Sequence, residues 1–347
     1  MPAPSDHPVP TIDISSFLAG TDQVTAPEQI RRAATTSGFF QIVGHGIDKR
    51  LIDAAYAAGE ALAARPVEER LALTSPSGHP YRGVRVFYDK AGRICSEGFT
   101  ASRFEGPEAA VAAGVAPEHA DYYAANVWPD LPGFRESLLA LAGPTRALGR
   151  QMMRAFAVAL ELPIDWFDDK IALDATTSTI RSYPARHAPL DEDPTIIFDE
   201  HFDGNLLTLL HQRGTYEGLQ IRDLDGEWFS VPVDDDAFVV NVGELMTRWT
   251  NGTWPATRHR VIAATDPGGH RFTLPTFFNA SVDTVVAPLA TQGGEDDPRY
   301  DAVTVYDWFR RHTVKSYAER SHTLSGARTE EFVAALATSS SWSPSAD

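Results

Sequence analysis

Only one cysteine, Cys95, occurs in 347 residues, so no internal disulfide can form. No apolar run approaches the roughly 18 residues that a membrane-spanning helix needs. The N-terminal MPAPSDHPVP has neither the basic n-region nor the apolar h-region of a secretory signal, so a cytoplasmic protein is expected. Positive charge is scarce: 30 Lys and Arg against 47 Asp and Glu leave a net charge of −17, with no basic run. That field repels phosphate backbones and anionic lipid, which excludes nucleic acid and membrane surfaces as expected partners. No internal repeat is evident, and low complexity is confined to the tail from Thr338, TSSSWSPSAD, which is expected to fray.

What is present is the material of a packed core. A hydrophobic fraction of 43% and seven Trp place the chain among globular proteins. The opening VPTIDIS alternates like a strand, AAYAAGEALAARPVEERLAL has a helical period broken near Pro66, and FRESLLALAGPTRALGRQMMRAFAVALEL predicts a long buried helix. From about Thr179 the texture changes to short β-branched or aromatic runs: STIRSYP, GNLLTLLHQ, GLQIRDLDGEWFSVP, AFVVNVG, RHRVIA and RFTLPTFF. Asp225-Gly226 between two of them signals a hairpin, with Gly taking the positive φ. VYDWFRRHTVKSYAER returns to a helical period. The expectation is one α+β domain over residues 1–347, mainly helical over 1–175, with a double-sheet β core over 176–285, a helical region over 286–337 and the tail over 338–347.

Two His-x-Asp triplets occur, His119-Ala120-Asp121 and His201-Phe202-Asp203. On an extended segment, residues i and i+2 point the same way, so such a triplet can offer two ligands to one ion. Two imidazoles and a carboxylate are the facial set that leaves a ferrous ion open positions. His119 lies in an Ala-rich segment that reads as surface, whereas His201 lies within the β region. Downstream, His259 sits where a polar loop enters a strand, and twelve residues on comes Arg271-Phe272-Thr273. Arg271 and Thr273, again i and i+2, can form a charge-assisted clamp on a carboxylate. His270, next to Arg271, should face the opposite way. His211 and His45 read as structural hydrogen-bonding residues, and the glycines of VGHG and NVGEL as turn glycines.

The order HxD, His, RxT resembles the isopenicillin N synthase-like family of iron(II)/2-oxoglutarate oxygenases. VPTIDIS, GFFQIVGHGID and NVWPD resemble its N-terminal elements, and SYP, HFDGNLLTLLHQ, EGLQI, WFSVP, AFVVNVGELMTRWTNGTWPATRHRV and RFTLPTFF follow its core in order. The resemblance implies a distorted double-stranded β-helix (jelly roll) with flanking N- and C-terminal helices. It also implies iron(II) held by His201, Asp203 and His259, with 2-oxoglutarate and O2 as co-substrates. Arg271, Thr273 and Tyr183 would hold the distal carboxylate of 2-oxoglutarate. Two positions depart from the family's pattern: Arg181 stands where many members have Asn, and Thr273 replaces the commoner Ser. The implied reaction is hydroxylation of an unactivated C–H bond of a secondary metabolite, with release of succinate and CO2. Desaturation, ring closure and epoxidation are alternatives, as are a 2-oxoglutarate-independent oxidase of the same family and a non-catalytic binding protein.

In this family the variable wall comes from the region corresponding to YRGVRVFYDKAGRICSEGFTASRFEG and from strands near the metal. The candidate substrate residues are therefore Arg181, Arg82, Arg85, Arg103, Phe99 and Phe278. The arginines suggest an anionic small-molecule substrate, with Arg181 foremost because its spacing from Tyr183 turns both inward. A monomer or small homo-oligomer is expected.

Overall fold

A computed structural model describes residues 9–88, 93–184, 196–223, 225–264, 268–292, 297–320, 330–331 and 334–335 of the chain. The tail expected to fray lies outside the described residues. The helices are α1 (Ser15–Leu18), α2 (Thr25–Thr36), α3 (Lys49–Ala63), α4 (Val67–Leu71), α5 (Pro107–Ala112), α6 (Phe134–Ala159), α7 (Glu244–Trp249) and α8 (Val305–Arg320). Asp48 caps α3 by accepting from the Arg50 backbone N–H, and Pro66 separates α3 from α4 because its ring cannot continue a helix.

The strands are β1 (Thr11–Asp13), β2 (Phe39–Val43), β3 (Gly83–Tyr88), β4 (Ile94–Ser102), β5 (Thr177–Tyr183), β6 (Ile196–His201), β7 (Leu207–Gly214), β8 (Leu219–Arg222), β9 (Trp228–Ser230), β10 (Phe238–Val242), β11 (His259–Ile262) and β12 (Arg271–Phe278). They form an eight-stranded sheet ordered β1-β2-β10-β7-β12-β5-β4-β3 and a four-stranded sheet ordered β6-β11-β8-β9. These are the two walls of a jelly roll. The hairpin at Asp225-Gly226 forms as expected, joining β8 to β9 with Gly226 at φ +91°.

One expectation needs correction. The β core is not confined to 176–285, since β1 to β4 come from the first half and supply half of the larger sheet. β3 and β4 are rich in β-branched and aromatic residues, and they join the rest of the sheet through β5, a contact just over 80 positions away at Phe99 and Ile180. His201 ends β6, a strand whose charged, half-exposed segment IIFDEH carries no clean apolar period.

Helix α6 covers the outer face of the larger sheet. A Cβ at Gly149 would lie 2.4 Å from the Phe278 ring, so glycine is what lets the helix lie flat there. One hydrophobic cluster runs from Ile12 to Val305 and includes Phe156, Trp249 and Trp254, so helices from both ends of the chain share a core with the sheets.

His211 proves structural, as expected. Its Nε2 lies 3.0 Å from the Asp235 carbonyl and its Nδ1 2.8 Å from the Tyr56 hydroxyl. A carbonyl only accepts, so Nε2 carries the proton and Nδ1 accepts from Tyr56, a fully satisfied neutral ring. Burial is the main force that pushes His211 down to about 4 from 6.5. The unfolded chain therefore binds the extra proton first. His211 costs nothing above about pH 6.5, and its penalty grows as pH falls toward 4, to about 3 kcal/mol. The urea midpoint of the protein should fall between pH 7 and 5 more steeply than that of His211→Gln; equal slopes would contradict this assignment.

Candidate active site

β6 and β11 are antiparallel neighbours, and their register sets His259 directly opposite His201. Directly opposed residues share a face of the sheet, so both imidazoles enter the space between the sheets. Their ring centroids are 4.1 Å apart. Asp203 follows β6 by two residues, and its Oδ1 lies 3.7 Å from His201 Nε2 and 3.6 Å from His259 Nε2. The three ligand atoms all lie within 4.8 Å of one another, and this is the only such group among the described residues.

Hydrogen bonds behind the three side chains fix which atoms face inward. His201 Nδ1 is 2.9 Å from the Asp199 carbonyl, and His259 Nδ1 is 3.1 Å from the Thr257 carbonyl. Each carbonyl requires a donor, which places the proton on Nδ1 and turns the Nε2 lone pair inward. Asp203 Oδ2 accepts from Thr208 Oγ1 at 2.6 Å and Asn241 Nδ2 at 2.9 Å, which leaves Oδ1 on the imidazole side. Burial pushes the Asp203 carboxyl up, but the two imidazoles and Thr208 outweigh it and hold it well below the usual carboxylate range. The result is an ionised carboxylate oxygen and two imidazole Nε2 atoms converging on one point, a donor set suited to a divalent transition metal.

Thr208 and Asn241 escaped the sequence reading, although a lone Asn inside the apolar run FVVNV is itself a signal. A buried amide in such a strand needs a partner. If these residues fix the carboxylate for metal binding, Thr208→Val should weaken iron(II) binding by about 10- to 100-fold, and Thr208→Ser should restore it. Equilibrium dialysis tests this, and equal affinity in the valine variant and wild type would contradict it.

An inner cavity extends from the triad to Tyr183, Arg271 and Thr273. In the larger sheet, Arg271 pairs with Tyr183 and Thr273 with Arg181, so all four side chains face inward, as their spacing predicts. Arg271 is 1% exposed, and its guanidinium carbon sits 4.8 Å from the Tyr183 ring centre. Its Nη2 donates to Gln212 Oε1 at 3.1 Å, whereas its Nε and Nη1 are buried with no partner within the described residues. A buried cation with unsatisfied donors is costly unless an anion completes it. The pocket thus fits a bound carboxylate.

A wider outer cavity opens on the other side of His201 and Asp203. Arg85 and Arg181 line it, together with Phe198, Phe277 and, from α8, Trp308 and His312. Arg181 lines both cavities. The contribution of α8 was not foreseen: Trp308 Nε1 donates to the Gly204 carbonyl at 2.6 Å, which ties this helix to the residue after Asp203.

The other substrate candidates fall elsewhere. Phe99 packs with Trp128 and Phe134, and Phe278 against Gly149, both on the outer face of the sheet. Arg103 lies outside the cavity and pairs with Asp174 at 2.9 Å beside Arg146 and Arg150. Arg82 borders the cavity, but each of its three guanidinium nitrogens donates to a carbonyl, those of Tyr81, Tyr122 and Ala124. Burial pushes it down to about 10, so it stays charged at neutral pH as a tie between loops.

Among the histidines set aside in the sequence, His270 is exposed, and His45 packs on Phe238 while its Nδ1 accepts from the Ile47 backbone N–H. His119 stacks near Tyr306, which donates to Asp121, so the second triplet serves packing. Gly44 and Gly46 have positive φ, as turn glycines should. Gly243 does not: its φ is −98°, and glycine is required because a Cβ would lie 2.1 Å from the Asn205 carbonyl oxygen.

Residues 178–280 match the 2OG-Fe(II) oxygenase superfamily, and residues 9–131 match the N-terminal region described as non-haem dioxygenase in morphine synthesis. The chain is 31% identical over 325 residues to isopenicillin N synthase of Streptomyces clavuligerus, covering 88% of this chain and 94% of that protein. It is 28% identical over 302 residues to validamycin A dioxygenase of Streptomyces hygroscopicus subsp. limoneus, covering 82% and 80%. In fold it is similar to the full-length Neurospora crassa T7H crystallised with alpha-KG and thymine, with a TM-score of 0.76, 22% identity and coverage of 89% and 97%. The chain belongs to the 2OG-Fe(II) oxygenase superfamily and is a non-haem iron(II) dioxygenase with 2-oxoglutarate and O2 as its co-substrates.

Proposed function

We propose that His201, Asp203 and His259 bind iron(II), that Arg271, Thr273 and Tyr183 bind the distal carboxylate of 2-oxoglutarate, and that the enzyme hydroxylates a C–H bond of a small metabolite seated in the outer cavity. The observation that carries this reading is the buried Arg271, with its Nε and Nη1 unpartnered among the described residues, in the same cavity as the triad. When bound, iron(II) with 2-oxoglutarate and O2 supplies the oxidising equivalent, and 2-oxoglutarate leaves as succinate and CO2.

The chain's own residues orient and exclude. The carbonyl-bonded Nδ1 atoms hold both imidazoles with Nε2 aimed inward, and Thr208 and Asn241 hold Asp203 to one oxygen. Arg271 sets the depth at which 2-oxoglutarate lies, so that its other end reaches the triad. Phe198, edge-on to His201 at 4.7 Å, and Phe277 form apolar walls that keep water from the reacting carbon. We also infer that the substrate carries an anionic group and that Arg181 reads it. Relatives of this reading, desaturation or ring closure, require only a different substrate pose.

With iron(II), 2-oxoglutarate and air, the protein should form succinate slowly without substrate. Oxygen consumption with no succinate would instead favour the 2-oxoglutarate-independent reading that the likeness to isopenicillin N synthase raises.

A further inference from the structure

We propose that Arg85 and Arg181 form a two-arginine slot, opened by Gly98 between them, that takes the oxyanion of the substrate. The inference rests on the oxygenase reading above and concerns what the outer cavity selects. Arg85 of β3 lies directly opposite Gly98 of β4, and Gly98 directly opposite Arg181 of β5. Directly opposed residues share a face, and strands lie about 4.8 Å apart, so the backbones of the two arginines stand about 10 Å apart with no β4 side chain between them.

Glycine is not demanded by the backbone here. Gly98 lies outside the left-handed region, and a Cβ would meet Ile180 O at 3.3 Å, Thr179 Cγ2 at 3.5 Å and Arg181 Cβ at 3.7 Å. A small side chain would need only a slight adjustment. What glycine provides is the gap itself.

Aromatic faces hold both cations. The Arg85 guanidinium carbon is 5.5 Å from the Tyr81 ring centre and 5.1 Å from that of Phe87, and Arg181 is 4.9 Å from Phe87 and 5.4 Å from Phe198. The Phe87 ring lies against both guanidinium groups, and Phe198 meets the His201 ring edge-on. A guanidinium stacked by its face directs its N–H donors outward along its edge, the geometry that recognises carboxylate or phosphate. Arg181 Nη1 also donates to Ser96 Oγ at 3.3 Å, which fixes its rotation.

The charge of the cavity agrees. Its described lining holds three arginines, Arg82, Arg85 and Arg181, in a chain of net −17. A substrate anchored in the slot would extend past Thr100 and Thr179 toward His201 and Asp203.

The test uses the iron(II)–2-oxoglutarate complex under nitrogen and ligand-observed NMR with phenylacetate, phenyl phosphate and the neutral phenylacetamide. At least one acid should bind ten times more tightly than the amide, and the better acid shows whether the slot prefers carboxylate or phosphate. Arg85→Gln and Arg181→Gln should each cut that preference at least tenfold. Gly98→Ala should reduce it and Gly98→Val abolish it, with 2-oxoglutarate binding measured alongside in every variant. The proposal is overturned if neither acid exceeds the amide, if the preference survives both glutamine variants, or if excess 2-oxoglutarate displaces the acids. Failure of wild type to bind 2-oxoglutarate would overturn the oxygenase reading, a result distinct from any of these.

Discussion

Replacing either His201 or His259 by alanine should lower iron(II) affinity by at least about a hundredfold, because supporting residues alone are worth 10- to 100-fold and here a ligand itself is lost. Neither neighbour can substitute. The opposed register of β6 and β11 puts both Nε2 atoms near one carboxylate oxygen, and no other His, Cys, Asp or Glu among the described residues joins that group. His270→Ala should bind iron as wild type does, since His270 is exposed and outside the site. His119→Ala serves as a second control, because its ring lies against Tyr306. Metal content after anaerobic reconstitution and desalting separates these outcomes. Full occupancy in both His201→Ala and His259→Ala would remove the metal assignment.

The second large effect belongs to Arg271. Among the described residues, it is the only cation of the inner cavity whose buried donors end unpartnered, and Arg271→Leu removes it while leaving the triad and its supporting hydrogen bonds untouched. A carboxylate left without its buried partner costs about 3 kcal/mol or more. The 2-oxoglutarate dissociation constant should therefore rise by about two orders of magnitude, with iron affinity little changed. Arg271→Lys should recover only a fraction of the loss, because an ammonium cannot offer the two parallel N–H donors of a guanidinium. Equal 2-oxoglutarate affinity in wild type and Arg271→Leu would refute the clamp.

The inner cavity was legible in the sequence because strand alternation is a strict rule. His201 with Asp203 and Arg271 with Thr273 are i, i+2 pairs, and all four face the same space. The same rule speaks against Phe278: with Arg271 and Thr273 inward, Phe277 is inward and Phe278 outward, where α6 meets it. Other features depended on partners far away in sequence. Arg103 lies 71 positions from Asp174, and Arg82 gives its donors to loop carbonyls some 40 positions on, so burial by such pairing left no local mark. β6 was missed because its half-exposed residues do not alternate. The slot between Arg85 and Arg181 became visible only when the register of β3, β4 and β5 aligned three residues that local spacing does not connect.

The most direct test of the central claim is the anaerobic visible difference spectrum of the protein with iron(II) on addition of 2-oxoglutarate. Bidentate chelation of iron(II) by the 2-oxo acid gives a weak charge-transfer band that neither component shows alone. Wild type should develop it and saturate. His201→Ala and His259→Ala should fail to develop it, and Arg271→Leu should reach it only at about a hundredfold higher 2-oxoglutarate. No band in iron-loaded wild type at saturating 2-oxoglutarate, or an undiminished band in both histidine variants, would contradict the account.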